Sequence, residues 1–272
     1  MVNWNREYAA YRWSEMAPAE QARIFRDGAL KHVRNRHARL RQIGLHVGDD
    51  DEPRPYHVEA IDRLVDLALV QRRDDDEACE AVQRMLCAVD GECRGIIPDE
   101  FLYLRAGGPR VRARMLKEGF IAGRSVGALY VNAVSKVVLR EYFKEAGHSL
   151  LMDDDELATM ADLRKAGPTV RLYRGSGQQA EVNSARRRGM SWTRNRATAE
   201  RFANGKAWGG RWAAVLECDY PVKHILALWE TSGYEPEVVI DPTRARDIVA
   251  ELRAYVEPAK RSAPSVDQTA YA

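Results

Sequence analysis

Apolar residues recur at intervals of three, four and seven positions through the first 165 residues, a pattern that predicts a series of amphipathic helices. One helix begins at Pro18 and continues to Ile43, because proline suits the first turn of a helix. Further helices are predicted at about 57–71, 75–88, 98–118 and 124–146, and a short one runs from Asp153 to Gly167. Gly147 is the predicted C-cap of the helix at 124–146.

The pattern changes after Pro168, where short alternating segments predict strands. The predicted strands cover about 169–174, 190–193, 211–220, 224–230, 235–241 and 247–256, with helices at about 178–188 and 197–203. Because the last four strands follow one another with only turns between them, the predicted fold class is α+β with a mixed, mainly antiparallel sheet. The predicted domains are a helical region at 1–165, an α+β domain at 166–257 and a disordered tail at 258–272.

The composition excludes several classes of protein. Of the 272 residues, 45% are hydrophobic and 30% are charged, which excludes a disordered or fibrous chain. No apolar run approaches the length of a membrane span, and the first residues contain no export signal. The four cysteines and six histidines are too scattered to predict a disulfide framework or a metal site. We therefore expect a soluble protein that acts in a cytoplasm, its own or that of a host, without a membrane partner or a metal.

Charge is distributed unevenly, although the net charge is only +2. Residues 46–100 contain 16 acidic and 6 basic residues, whereas residues 171–211 contain 10 basic and 2 acidic residues. The basic segment suits an anionic ligand. The helix from Pro18 also has a basic face, with Arg26, Lys31, Arg34 and Arg41. A solvated face is the favoured interpretation, and a nucleic-acid-binding helix is the alternative.

The segment Gly175-x-Gly177-x-x-Ala180 lies between a predicted strand and a predicted helix, in the outline of a dinucleotide-binding turn. Such a turn requires an Asp or Glu about 20 residues further on, where this chain has Arg194 and Arg196. The strands that follow also do not alternate with helices. A dinucleotide-binding fold of that type is therefore disfavoured.

Three strand segments occur in a more informative order: Tyr173-Arg174-Gly175, then Ser191-Trp192-Thr193, then Glu235-Pro236-Glu237. In this order the chain resembles the ADP-ribosyltransferase toxin superfamily, in the branch marked by an Arg, a Ser-x-Thr/Ser strand and a Glu/Gln-x-Glu pair. The resemblance covers roughly residues 169–256 and extends to a glycine two residues before Ser191 and an AxxFA helix that contains Phe202. Trp192 and Pro236 depart from the commonest sequences of the family.

The residue types also suit this chemistry without reference to the family. Cleavage of the nicotinamide–ribose bond of NAD passes through a cationic sugar, so a carboxylate beside that sugar and a cation on the pyrophosphate both stabilise the reaction. Glu235 and Glu237 are two residues apart on a strand, so both side chains leave the same face. Arg174 offers a planar fork of donors for a phosphate, and Arg171, Arg194 and Arg196 are expected to add positive charge nearby.

The resemblance implies a role for each position. Glu237 would stabilise the cationic transition state, and Glu235 would orient or deprotonate the attacking group. Ser191 would hold Glu237 and the nicotinamide ribose, and Arg174 would anchor NAD. The remaining expected contacts to NAD are those of Gly175, which would let the backbone approach, Thr193 and Phe202, while Tyr234 would contact the target.

The implied function is mono-ADP-ribosyl transfer from NAD to a macromolecule. A Glu at the first position of the pair accompanies arginine acceptors in this family, so Glu235 favours protein arginine. Transfer to DNA or RNA, for which Arg186–Arg188 would follow the phosphates, is the nearest alternative, and NAD hydrolysis is another. A non-catalytic binding module with the same fold is the alternative of a different class. The biological setting is left open between a toxin, an effector and a phage-encoded modifier.

Overall fold

The computed structural model describes residues 4–45, 51–89, 91–123, 136–177, 179–184, 188–206, 213–230 and 236–253. The chain divides into two compact units. The first, here called the helical unit, comprises Met1–Lys165 and Ile225–Glu235; the second, the sheet unit, comprises Ala166–His224 and Pro236–Ala272. The predicted tail at 258–272 lies outside the described residues.

The helical unit contains α1 (Trp4–Ser14), α2 (Pro18–Gln42), α3 (Pro55–Val65), α4 (Asp76–Ala88), α5 (Cys93–Tyr103), α6 (Pro109–Gly123), α7 (Lys136–Ala146), α8 (His148–Leu151) and α9 (Asp154–Ala166). A π-helical turn, Asp66–Val70, continues α3. Over the described ranges, no helix combines the length and apolar character that crossing a bilayer requires.

α2 matches its prediction to within one residue, with Pro18 at the first position of the helix. Its apolar face buries Phe25, Leu30 and Val33. Phe25 packs edge-on against Phe101 of α5, with ring centroids 5.2 Å apart. Both rings are fully buried, so this contact lies in the core of the helical unit.

Arginines on the polar face of α2 form ion pairs with acidic side chains of residues 46–100. Arg26 pairs with Asp62 at 2.5 Å, Arg34 with Glu52 at 2.9 Å, and Arg41 with Asp51. Because these pairs compensate the charge of the helix within the chain, they weigh against its interpretation as a nucleic-acid-binding helix.

The prediction of one helix at 98–118 is wrong, because the chain turns between α5 and α6. Gly107 has a φ of +68° there, a left-handed conformation that interrupts a helix. The Asp74 side chain then caps α6: its Oδ1 accepts a hydrogen bond from Val111 N at 2.8 Å and its Oδ2 accepts one from Arg110 N at 3.1 Å. The cap comes from a residue far from α6 in the sequence, so local periodicity did not reveal it.

α7 occupies the C-terminal part of the helix predicted at 124–146; residues 124–135 lie outside the described residues. Gly147 follows α7 with a φ of +72°, and its N–H donates to the carbonyl oxygen of Phe143 at 3.0 Å. The predicted C-cap is therefore confirmed.

The sheet unit contains β1 (Thr169–Ser176), α10 (Gln179–Asn183), β2 (Ser191–Trp192), α11 (Arg196–Lys206), β3 (Ala213–Pro221), β5 (Glu237–Ile240) and β6 (Val249–Arg253), while β4 (Ile225–Trp229) belongs to the helical unit. β1, β3 and β6 form an antiparallel sheet in that order, and β2 pairs antiparallel with β5. The α+β class is thus confirmed. Antiparallel pairing of β1 with β3 also excludes the parallel unit of a dinucleotide-binding turn.

Two boundaries in the sheet unit follow from single residues. β5 begins at Glu237, directly after Pro236, as expected for a proline that lacks a donor for the ladder. The helix predicted at 178–188 is shorter than expected, since α10 ends at Asn183 and Arg188 is not helical.

Side chains alternate between the two sides of β1. Tyr173 faces α11 and packs on a cluster formed by Ala199, Ala203, Ala213 and Val215. Gly175 faces the same way: a Cβ atom added there would lie 2.2 Å from the carbonyl oxygen of Ala199. Arg174, between them, therefore projects from the side of β1 opposite α11.

Candidate active site

Arg174 is a buried member of the predicted site, with a side chain that is only 10% exposed. Its Nη1 donates to the carbonyl oxygen of Ser191 at 2.8 Å, and its Nη2 donates to Glu181 Oε1 at 2.8 Å. The first bond joins β1 to β2. The second is a buried ion pair with a residue of α10 that the sequence analysis did not select.

Gly189 explains the glycine that precedes Ser191 by two residues. A Cβ atom at this position would lie 2.2 Å from Nη2 of Arg174, so a larger residue would displace the guanidinium from this position. The carbonyl oxygen of Gly189 accepts a hydrogen bond from Trp192 Nε1 at 3.0 Å. Trp192 is 2% exposed, so it is a core residue that anchors the wall of the Arg174 site.

β2 lies between the strands that contain the other predicted residues. Thr193 and Tyr173 exchange backbone hydrogen bonds of 2.8 and 2.9 Å, which places β2 beside β1. On the other side, Ser191 pairs with Val239 and Trp192 with Val238. Continuing this register by one residue sets Thr193 opposite Glu237.

Glu237 is a carboxylate in the interior of the sheet unit, 2% exposed and followed by an apolar strand. Ser191, Thr193 and Glu237 lie on one side of the β2–β5 pair, because paired and alternate residues share a face. The three segments of the sequence motif are therefore neighbours in space. Glu235 and Tyr234 lie outside the described residues.

Thr193 is also a structural residue. Its Oγ1 accepts a hydrogen bond from Asn195 N at 3.1 Å, and Asn195 Oδ1 accepts one from Thr198 N at 3.2 Å. Asn195 thereby caps α11 directly after the site strand. The turn that ends β2 and the start of α11 are thus connected by side-chain hydrogen bonds.

Gly175 has a packing role that the sequence analysis did not predict. The side of its backbone that a side chain would occupy faces α11, where Ala199 O and Ala203 N approach most closely. The glycine therefore permits close packing of a helix on β1, and its approach to NAD stays a prediction. Phe202 lies in the same contact through its backbone and is half-buried.

Two of the arginines that were expected to add positive charge are neutralised within the chain. Arg171 pairs with Asp219 at 2.7 Å and with Glu217, and these hydrogen bonds raise the pKa of its guanidinium. Arg196 pairs with Glu200 at 3.1 Å and with Glu217 at 3.3 Å. Acidic side chains of β3 thus offset the positive charge that Arg171 and Arg196 were expected to add. Arg194 is exposed.

Arg188 turns inward. Its guanidinium donates to the carbonyl oxygens of Glu181 and Val182 at 2.9 and 2.8 Å. These bonds provide partners for two carbonyl groups at the C-terminal end of α10. Burial lowers the pKa of Arg188 from its usual value. The proposed surface at Arg186–Arg188 is therefore not supported at Arg188; Arg186 and Arg187 lie outside the described residues.

Within the described ranges, no group of three or more His, Cys, Asp or Glu side chains has the arrangement of a metal site.

The chain matches no protein-family model, no curated protein and no solved structure.

Proposed function

We propose that this protein is an NAD-dependent mono-ADP-ribosyltransferase that modifies a macromolecule, with protein arginine as the favoured acceptor. The observation that supports it most directly is the position of β2. The strand with Ser191 and Thr193 contacts the strand of Arg174 on one side and the strand of Glu237 on the other. Segments separated by up to 64 positions in the sequence thus lie on adjacent strands, which supports the proposal.

Each residue has a defined task in the proposed reaction. Arg174 binds the pyrophosphate of NAD, and its buried Nε, which lacks a hydrogen-bond partner among the described residues, suits a phosphate oxygen. Glu237 faces the nicotinamide ribose and stabilises the positive charge that develops on the sugar. Ser191 holds that ribose against Glu237.

The bond changes are those of a substitution at the ribose carbon. The bond to nicotinamide breaks and its electron pair leaves with nicotinamide, while a nitrogen of the acceptor forms the new bond to the same carbon. Glu235 accepts the proton that the acceptor nitrogen loses. A guanidinium acceptor suits a carboxylate at this position, because it presents two parallel donors.

The ion pairs of the sheet unit favour a protein acceptor over a nucleic acid. A polyanion requires unpaired cations along its path. Arg171 and Arg196 are paired with acidic residues, and Arg188 is bound to backbone carbonyls. In the part of the basic segment that the structure describes, Arg171, Arg188 and Arg196 are thus engaged within the chain, and NAD would use Arg174.

The test uses the purified chain with NAD labelled in the adenylate group and a cell lysate. Separate portions are treated with protease and with nuclease, and nicotinamide release is measured without lysate. We expect label in protease-sensitive material, competition by free arginine analogues, and loss of both activities in Glu237→Gln. Glu217→Gln is the matched control, because Glu217 lies on β3, outside the three motif segments, and its carboxylate pairs with Arg171 and Arg196. Absence of nicotinamide release from the folded chain contradicts the proposal.

Label that resists protease and is removed by nuclease contradicts the protein acceptor and leaves the transferase reaction intact. Nicotinamide release without any labelled macromolecule favours NAD hydrolysis. The three outcomes differ in the fate of the ADP-ribose and are read from the same incubation.

A further inference from the structure

Glu181 forms an ion pair with Arg174, and the family resemblance assigns it no role. Its Oε1 accepts a hydrogen bond from Arg174 Nη2 at 2.8 Å. The side chains of Arg174 and Glu181 are 10% and 13% exposed, so the pair is largely removed from water. A carboxylate in such a place strongly affects which other anions the guanidinium can bind.

The hydrogen bonds of Arg174 leave one donor edge incomplete. Nη1 is bound to the carbonyl oxygen of Ser191, and Gly189 packs directly against the guanidinium. On the remaining edge, Glu181 binds Nη2, whereas Nε is buried without a hydrogen-bond partner among the described residues. A phosphate group binds arginine through two parallel N–H donors. The Nη2 and Nε edge offers such a pair, of which Glu181 uses one.

We propose that Glu181 is an internal anion that occupies the phosphate site of Arg174 in the ligand-free chain, and that a pyrophosphate displaces it. This inference rests on the proposed function, in which Arg174 binds the pyrophosphate of NAD. The incoming phosphate takes both Nη2 and Nε, and so pairs the buried Nε–H. Its binding is weakened by the cost of separating Glu181 from Arg174 and by repulsion from the Glu181 carboxylate. Glu181 thereby sets the affinity for the dinucleotide.

Glu181→Gln separates this role from a simple positioning role. The amide keeps the shape of the side chain and an oxygen that accepts from Nη2, but it removes the negative charge. If Glu181 competes with phosphate, the variant binds pyrophosphate more tightly than the natural chain does. If Glu181 only holds Arg174 in place, the variant binds pyrophosphate equally or more weakly.

The experiment measures the dissociation constant of inorganic pyrophosphate by calorimetry at low ionic strength, for the natural chain, Glu181→Gln and Glu217→Gln. We expect binding about tenfold tighter for Glu181→Gln and unchanged for Glu217→Gln, the control for removal of a carboxylate from a different ion pair. Equal or weaker binding in Glu181→Gln overturns the inference. So does the absence of binding to both the natural chain and Glu181→Gln at millimolar pyrophosphate. Should Glu181→Gln not fold, Glu181→Asp gives the answer, because its shorter side chain withdraws the carboxylate from Nη2 and also tightens binding.

Release of nicotinamide from NAD is measured in parallel with the same proteins. Tighter pyrophosphate binding in Glu181→Gln without any cleavage of NAD contradicts the proposed function and leaves the contact between Glu181 and Arg174 as inferred. Cleavage of NAD by the natural chain, with unchanged pyrophosphate affinity in Glu181→Gln, contradicts the role of Glu181 alone.

Discussion

Arg174 donates a hydrogen bond from Nη1 to the backbone carbonyl oxygen of Ser191 at 2.8 Å, so the side chain of one predicted site residue is bound to the backbone of another. The two residues are 17 positions apart and lie on adjacent strands. The guanidinium that is proposed to bind NAD therefore also holds β2 against β1. Substitution of Arg174 is expected to affect both stability and NAD binding.

Arg174→Lys tests this double role. Lysine retains the charge but has no planar fork, so it cannot bind Ser191 O and Glu181 from two separate nitrogens. We expect a loss of about 1–3 kcal/mol in the free energy of unfolding in urea, together with weaker NAD binding. Arg246→Lys, at an exposed position of the sheet unit, is the control and should unfold like the natural chain. Unchanged stability of Arg174→Lys would show that the bond to Ser191 contributes little.

The two glutamates of the Glu-x-Glu pair are expected to have different roles in the reaction. Glu237→Gln removes the charge that faces the cationic sugar, so transfer and NAD hydrolysis should both fall by about a hundredfold or more. Glu235→Gln should reduce transfer more than hydrolysis, because its proposed partner is the acceptor. Rates of nicotinamide release with and without an arginine acceptor measure both effects.

The decisive comparison is the ratio of transfer to hydrolysis in each variant. That ratio should fall in Glu235→Gln and stay close to that of the natural chain in Glu237→Gln, where both reactions fall together. Equal losses of both reactions in the two variants would mean that the roles are assigned incorrectly.

Gly175→Ala is expected to disturb the packing of α11 on β1. The new Cβ atom would lie 2.2 Å from Ala199 O and 2.4 Å from Ala203 N, both of them backbone atoms that cannot rotate away. We expect a loss of about 1–3 kcal/mol in stability, measured by thermal or urea unfolding. Gly167→Ala is the control, since no atom lies within 4 Å of the added Cβ. If both variants unfold alike, the close approach of α11 does not require a glycine.

Cys218 predicts a specific alkaline dependence of stability. It is a buried free thiol of β3, and burial raises its pKa from 9.0 to about 12. Between pH 9 and about 12, the thiol is therefore neutral in the folded state and ionised in the unfolded state. The stability that results is fully present below about pH 9 and is lost as the pH rises from 9 towards 12.

Cys218→Val removes this titration while nearly conserving the volume of the side chain. The decrease in unfolding free energy between pH 9 and 12 should be shallower in Cys218→Val than in the natural chain. Cys87→Val, at an exposed position, should follow the natural chain. An identical slope in all three proteins would show that Cys218 ionises normally in the folded state.

Short-range signals in the sequence determined many element boundaries. Pro18 begins α2, Gly147 ends α7 and Pro236 precedes β5, because each acts through its own backbone or through hydrogen bonds within one turn. The order of the motif residues likewise identified strands that the fold brings together. Such features depend on a few neighbouring residues, so they are visible in the sequence.

Contacts between distant segments were decided only by the tertiary structure. Arg171 meets Asp219 from 48 positions away, which neutralises a charge that the sequence places in a basic segment. Asp74 caps α6 from 37 positions before Val111, and the backbone of α11 sets the space at Gly175. The choice of Glu181 as the partner of Arg174 belongs here too, because it depends on how α10 folds back on β1. Charge, capping and close approach across such separations depend on which backbones pack together, and no local pattern of residues specifies that packing.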